Sequence, residues 1–308
     1  MKLYHEIPNL THTAVALGCF DGVHLGHQAV IQAAQGESCE RTVFTFADGR
    51  TVKSGAPRLM TFEEKCRLLE RQGTVHLIAP PFEAVRTYEP QRFFHEVLRG
   101  TLGAEVIACG ENYRFGKNAA GTADTMRHLC ERDGIICHIV PPVMVDGRVI
   151  SSSRIRQALA DGCVEQAGDM LGRRFSYEFE VVHGRELGRT LGTPTINQFF
   201  PEGFLMPRRG VYASMTEWEG RIYGSVTNIG VKPTVGSPVP LSETWIAGFS
   251  GDLYGQRVRV SLISFLREER RFASLEELKQ AILHDEAAAR RLAAPYIAEG
   301  GARDDIGT

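Results

Sequence analysis

Short apolar runs separated by helical periodicity fill the first half of the chain. Ala14-Val15-Ala16-Leu17 is followed by runs at residues 43–46, 75–78, 106–109 and 137–140, each of strand length and mainly apolar, with Thr45, His76 and His138 as the polar positions. Helical stretches lie between them. One begins near Leu25. Another opens at Thr61-Phe62-Glu63-Glu64, which has capping-box spacing, and extends to about Arg71. A third starts at Pro90 and extends to about Arg99, and a fourth covers residues 123–133. Strands without a polar face, alternating with helices, predict a parallel sheet covered on both sides.

The pattern changes in the second half. Phe175, Tyr177, Phe179 and Val181 alternate with polar residues, and so do Val258, Val260 and Leu262. This two-residue period predicts half-buried antiparallel strands. Residues 211–215 and 222–227 are further strand candidates around the turn signal Trp218-Glu219-Gly220. Ser274-Leu275-Glu276-Glu277 is a second capping box and opens a helix to about Leu292. The expected architecture is therefore α/β followed by β. A parallel-sheet, Rossmann-like domain over residues 1–168 precedes a small antiparallel Greek-key barrel closed by a helix over residues 169–295. Residues 296–308 form a Gly- and Asp-rich tail.

Length agrees with two domains, since 308 residues is about twice 150. The chain is 43% hydrophobic and 23% charged, which excludes disorder, collagen and coiled coil. Its formal charge of −2 removes the global field that non-specific nucleic-acid binders use, so no nucleic-acid partner is expected. A local pocket for one anionic molecule stays possible. No apolar run approaches the ~18 to 20 residues of a membrane span, and the N-terminus has no apolar segment after Lys2. The seven cysteines are odd in number and lack close C-x-x-C spacing, which suits reduced thiols in the cytoplasm. Oligomeric state is not legible.

Gly18-Cys19-Phe20-Asp21-Gly22-Val23-His24-Leu25-Gly26-His27 joins the first strand to the first helix. An open parallel sheet binds its ligand at such a place, where free helix N–H groups attract phosphate. His24 and His27 are one turn apart and share a face, from which two imidazoles could hydrogen-bond phosphate oxygens. Alone, the H-x-G-H core is equally a glycine-rich turn with surface histidines. Ser151-Ser152-Ser153 alone would be a plain helix cap. With Arg154 and Arg156 beside it, it makes a polyphosphate grip.

Together these segments resemble the bacterial bifunctional riboflavin kinase/FAD synthetases. The ten-residue string is similar to the family's nucleotidyltransferase signature. Gly110-Glu111-Asn112-Tyr113-Arg114-Phe115-Gly116-Lys117 resembles its G-[ED]-[DN]-[FY]-x-F-G loop, and Ile150-Ser151-Ser152-Ser153-Arg154-Ile155-Arg156 its I-S-S-T-x-I-R. One loop departs. The family's F-x-P-H-P is replaced by Phe46-Ala47-Asp48-Gly49-Arg50, which predicts a mobile loop where Arg50 stands in for part of the lost phosphate contact.

In the second half, Gly184, Gly188 and Gly192 are spaced for a flap whose N–H groups wrap phosphates, or for a plain Gly-rich hairpin. Thr195 and Asn197 share a face of an extended segment and could hold a hard ion such as Mg²⁺. The string from Gly184 to Asn197 resembles the flavokinase G-x-G-x-x-G-x-P-T-x-N region, with Thr193 where Phe is usual. Pro207–Tyr212, Asn228-Ile229-Gly230 with Pro233-Thr234, Glu243-Thr244 with Leu253-Tyr254-Gly255, and Phe265-Leu266-Arg267-Glu268-Glu269 continue the resemblance; Trp245 departs from it. By composition Glu243 is one acid among many.

The resemblance implies two reactions. The barrel would transfer the γ-phosphoryl of MgATP to riboflavin, with Glu243 as base for the 5′-hydroxyl, Thr195 and Asn197 at the metal and flavin, and the glycine flap over the phosphates. The first domain would transfer AMP from ATP to FMN. There Gly18, Phe20, Asp21, Gly22, His24, His27, Asn112, Ser151, Ser152 and Arg156 would hold ATP, with His24 and His27 catalytic and Asn112 and Arg114 at the flavin. Two alternatives stay open: a flavokinase with a degenerate first domain, which the altered loop suggests, and a non-catalytic flavin- or nucleotide-binding regulator.

Overall fold

The computed structural model describes residues 1–47, 55–183, 195–232, 239–270 and 272–298. Its contacts divide the chain into two compact units, Met1–Ser152 and Ser153–Thr308.

The first unit is built on six parallel strands, β1 (Lys2–Tyr4), β2 (Thr13–Leu17), β3 (Glu40–Phe44), β4 (His76–Ile78), β5 (Ala104–Gly110) and, after two short strands, β8 (Ile136–Val140). Their spatial order is β1-β4-β3-β2-β5-β8. β6 (Arg114–Phe115) and β7 (Gly121–Thr122) form one two-stranded ribbon, and β9 (Met144–Val145) and β10 (Arg148–Val149) another. The edge strand β1 was not legible, because three residues with one apolar position carry no period. Along β2, Val15 and Leu17 enter one core and Ala14 and Ala16 the other, so both faces are dry.

Helices α1 (Leu25–Ala33), α2 (Phe62–Arg71), α3 (Pro90–Arg92) and α4 (Ala123–Asp133) follow the expected pattern. Thr61 caps α2 by accepting from the Glu64 N–H. α3 continues through Phe93–Thr101 in a wider turn, and the Leu102 N–H reaches the Val97 carbonyl five residues back. β2 has β3 on one side and β5 on the other. The chain winds outward in both directions from β2, so the loops after β2 and β5 meet at the topological switch point, where such sheets bind ligands.

The second unit opens with α5 (Ser152–Ala160), whose first residue belongs to the first unit, and α6 (Val164–Leu171). The sequence places a boundary between residues 168 and 169, inside α6; the contact division lies at Ser152/Ser153, at the start of α5. Six antiparallel strands follow: β11 (Ser176–Glu180), β12 (Thr195–Phe199), β13 (Gly210–Trp218), β14 (Arg221–Lys232), β15 (Val239–Ile246) and β16 (Arg257–Arg267), in the order β11-β16-β13-β14-β15-β12. A bridge between Val182 and Asn197 brings the two ends together. Gln198 adds to this seam by donating to the Phe179 and Val258 carbonyls.

Part of the barrel interior is polar. Ser214 hydrogen-bonds Ser225 and Thr227 at 2.8 Å, and Thr227 hydrogen-bonds Thr244 at 2.9 Å, all without solvent exposure. Pairing of these buried hydroxyls meets the requirement that interior polar groups find partners. The closing helix α7 (Leu275–Ala298) packs Ala289 and Ala293 against Ala213, Met215 and Ile263 on the outer face. Ser274 caps it by accepting from the Glu277 N–H, and Glu277 accepts from the Ala273 N–H. It extends past the expected end at Leu292 and includes Pro295.

Candidate active sites

At the switch point of the first unit, the signature turn departs from β2 and enters α1. His24 is the helix cap: its Nδ1 accepts from the His27 N–H at 3.2 Å. An Nδ1 that accepts leaves the ring proton on Nε2, where it can donate to an anion. The rings of His24 and His27 stack with centroids 3.5 Å apart, and Phe20 meets His27 edge-on. Gly26 leaves room for the stack, since a Cβ there would lie 3.2 Å from the His24 ring.

The turn is strained. Phe20, Gly22 and Val23 have φ of 49°, 95° and 39°. Glycine accepts this freely, but a β-branched valine does not. Such residues cost about 1–3 kcal/mol each and persist where surrounding contacts determine them. Here those contacts are explicit. The Leu59 N–H donates to Asp21 Oδ1, the Ser152 hydroxyl to the Asp21 carbonyl, and Thr45 and Lys65 both donate to the Cys19 carbonyl.

Beside the turn lies a cavity of about 510 Å³ that touches Gly18 and Cys19. Phe46, Phe82, Phe93, Tyr113 and Phe115 line it, with Arg86, Arg114 and Lys117 among its polar groups. Phe46 meets Phe82 edge-on at 5.2 Å, and Tyr113 stacks on Phe115 at 5.8 Å.

The structure thus gathers Gly18, Phe20, Asp21, Gly22, His24, His27 and Ser152 in one turn and its supports, and brings Arg114 to the adjoining cavity. Ser151 precedes α5 and is half-buried, and Asn112 is exposed on the loop after β5. Arg156, on α5, belongs to the second unit. Asp48, Gly49 and Arg50 lie outside the described residues, so the altered loop has no structural account beyond Phe46 and Ala47. Sequence reasoning missed the aromatic lining as a group, although Phe46, Tyr113 and Phe115 stood in motifs it singled out.

In the second unit the site lies on the outer face of β12, β15 and β14. Asn197 is the Cα partner of Glu243, which is in turn the partner of Asn228. One step along, Thr195, Trp245 and Val226 make a second row. Residues two apart share a face, so both rows face the same way. Above them is a cavity of about 350 Å³ whose walls include Thr195, Glu243, Asn228, Val226, Trp245 and Phe272, with Leu278 and Ile282 from α7. Asn197 is buried and Glu243 is exposed.

Arg267 and Asp285 also border this cavity. The Arg267 guanidinium donates to both oxygens of Asp285, the closest contact being 2.8 Å, and Asp285 is only 3% exposed. Asn228 Nδ2 donates to Glu269 at 3.1 Å. Asn228, Arg267 and Glu269 stood in segments that sequence reasoning quoted without giving them a role. Gly184, Gly188, Gly192, Thr193, Pro194, Pro233 and Thr234 lie outside the described residues.

Comparison with known proteins decides the family. A family model described as riboflavin kinase matches residues 171–293, and one described as FAD synthetase matches residues 6–154. The bifunctional riboflavin kinase/FMN adenylyltransferase of Pseudomonas fluorescens is 33% identical, over 95% of this chain and 97% of its own length. The enzyme of the same description from Escherichia coli (strain K12) is 34% identical, over 94% and 97%. This chain belongs to the bifunctional riboflavin kinase/FMN adenylyltransferase family. It is an enzyme of that family with both domains, one for each ATP-using reaction. A Streptococcus pneumoniae crystal structure described as a macrolide-efflux protein has the same fold, with TM-score 0.85 and 29% identity over 94% of this chain and 98% of that one. Among the described residues, no helix is long and apolar enough to cross a membrane.

Proposed function

We propose that the two cavities are the flavin sites of two successive reactions, riboflavin to FMN in the second unit and FMN to FAD in the first. One observation carries this reading: each unit has a largely apolar cavity roomy enough for a flat, conjugated ring, bordered by Thr195 and Glu243 in the barrel and by Gly18, Cys19 and Arg114 beside the signature turn. Pockets of about 300–1,000 Å³ with few polar groups are usual for such ligands.

In the barrel, riboflavin lies against Trp245, Val226 and Phe272, with its 5′-hydroxyl toward Glu243. The exposed carboxylate takes the hydroxyl proton as the oxygen attacks the γ-phosphorus of ATP, and ADP leaves. Thr195 and Asn197 offer a hydroxyl and an amide oxygen, hard donors that fit Mg²⁺ when phosphates and water complete its shell. When bound, Mg²⁺ neutralises phosphate charge.

In the first unit, the FMN ring enters the aromatic cavity near Arg114, with Asn112 on the same loop. Its phosphate attacks the α-phosphorus of ATP and pyrophosphate leaves, so no covalent enzyme intermediate is required. The signature turn, the start of α1, Ser151 and Ser152 hold the polyphosphate, and the Nε2–H of His24 together with His27 stabilises the charge that develops. Arg156 is assigned here by family resemblance alone. The expected setting is the cytoplasm, with riboflavin, FMN and ATP as small-molecule partners.

Incubation of the chain with riboflavin, ATP and Mg²⁺, followed by separation of the flavins, tests the proposal. FAD is the expected product. FMN alone would leave only the kinase, and unchanged riboflavin would overturn both assignments.

A further inference from the structure

Lys65 is a buried cation that neither reaction uses. It stands on α2, is 7% exposed, and donates from Nζ to the Cys19 carbonyl at 3.0 Å. Burial pushes its pKa down, with nearby Asp21 opposing the shift and Arg58 adding to it. An ammonium in such surroundings is costly unless its contacts compensate. Those contacts converge on one peptide group. The Thr45 hydroxyl donates to the same Cys19 carbonyl at 3.1 Å, from the end of β3. Cys19 directly precedes Phe20, where φ first turns positive, and its neighbour Gly18 borders the aromatic cavity.

We infer that Lys65 is a positioning residue for adenylyl transfer, one that together with Thr45 holds the Cys19 carbonyl inward so that the signature turn presents its N–H groups to the polyphosphate of ATP. A peptide group has two ends. With the carbonyl tied to α2 and β3, the Phe20 N–H on the other side of that peptide is fixed in direction. Loss of the tie lets the peptide rotate, and a carbonyl facing phosphate repels it. The inference rests on the assignment of ATP to this turn.

The test is steady-state kinetics of the full chain, with FAD formation from FMN and FMN formation from riboflavin followed separately. Lys65→Met keeps much of the side-chain volume and removes the donor. It is expected to raise the ATP KM of FAD formation about tenfold or more, the worth of a hydrogen bond to a charged group. Turnover at saturating ATP and FMN formation should stay within about threefold, the pattern of lost uniform binding. Thr45→Val, which keeps the shape at a buried site, should move the ATP KM in the same direction by less. Should Lys65→Met fail to fold, Thr45→Val carries the test. An unchanged ATP KM in the folded variants, or a loss of turnover with KM kept, overturns the role of Lys65. A wild-type chain that makes no FAD overturns the assignment of ATP to the turn as well, so the two failures are distinct.

Discussion

Asn197 and Glu243 are Cα partners across the β12–β15 pair, with Asn228 the partner of Glu243 on β14. The register sets Asn197 beside Glu243, 46 positions away in sequence, and Glu243 stands at the wall of the cavity. A slip of one residue would turn both to the barrel interior. Glu243→Gln is therefore expected to leave the fold and riboflavin binding intact while slowing FMN formation roughly 10²–10⁴-fold, the usual worth of a general base. Near-normal turnover in that variant would remove Glu243 from proton transfer.

His27 belongs to the other reaction. Its ring stacks on His24, and its N–H, at the start of α1, donates to His24. His27→Ala keeps that N–H and removes only the imidazole. FAD formation should fall by about 10²-fold or more, as when a transition-state donor is lost, with FMN formation nearly unchanged. Equal loss of both activities would point instead to a folding defect.

The alternation of apolar runs and helices made the first unit legible, because its central strands β2 and β5 bury apolar residues on both faces. The barrel was only half legible. β11 and β16 alternate apolar and polar residues, but β15 turns Ser242 and Thr244 inward, so its buried face reads as polar. The interior hydroxyl network hides that strand from any hydrophobic period. The signature histidines stood out because glycines and a helix start surround them. The aromatic cavity did not, because Phe46, Phe82 and Phe93 are single residues in separate elements that only the fold brings together. Glu243 needed family resemblance, since the register that pairs it with Asn197 depends on how β12, β15 and β14 align.

The helices α5 and α6 belong with the barrel. The Arg208 N–H donates to the Leu159 carbonyl, Arg208 Nη1 to the Asp161 carbonyl, and Val164, Met170 and Leu171 are buried. A fragment starting at Ser153 should therefore melt at a higher temperature than one starting at Leu171, because the shorter one uncovers apolar surface worth about 1.5–3 kcal/mol per large side chain. Both should make FMN if the barrel holds the whole kinase site. Equal melting temperatures would show that the helices add nothing to the barrel.

Acid stability of the first unit should depend on Glu40. His76, on the buried strand β4, hydrogen-bonds Glu40 at 2.6 Å and holds its carboxyl below the ordinary carboxylate range. The folded state then binds fewer protons than the unfolded one as pH falls through that range. The stabilisation is complete above the unfolded pKa of about 4.3 and is lost as pH drops through the folded value. Glu40→Gln should lower the melting temperature at neutral pH, and the gap from wild type should close at acid pH. A gap that stays constant from pH 3 to pH 6 would show that the pair contributes nothing through its charge.

Arg267 and Asp285 tie the end of β16 to the middle of α7 at the wall of the flavin cavity. Asp285 is almost wholly buried, while Arg267 keeps about a quarter of its side chain exposed, at 24%. Breaking a buried pair from one side leaves the other charge without compensation and costs about 3–5 kcal/mol; partial exposure of Arg267 lowers this to about 2–3. Asp285→Asn should therefore shift the urea midpoint of the second unit downward without changing the slope, since the unfolded surface is the same. The variant should also raise the KM for riboflavin, because the freed guanidinium borders the cavity that holds the ring. A variant with Arg267→Met and Asp285→Leu together removes both charges and leaves no orphan, so it should recover part of the lost stability. It should not recover the riboflavin KM if Arg267 contacts the flavin. Recovery of both would limit the pair to holding α7 on the barrel, and recovery of neither would mean that the apolar replacements do not pack.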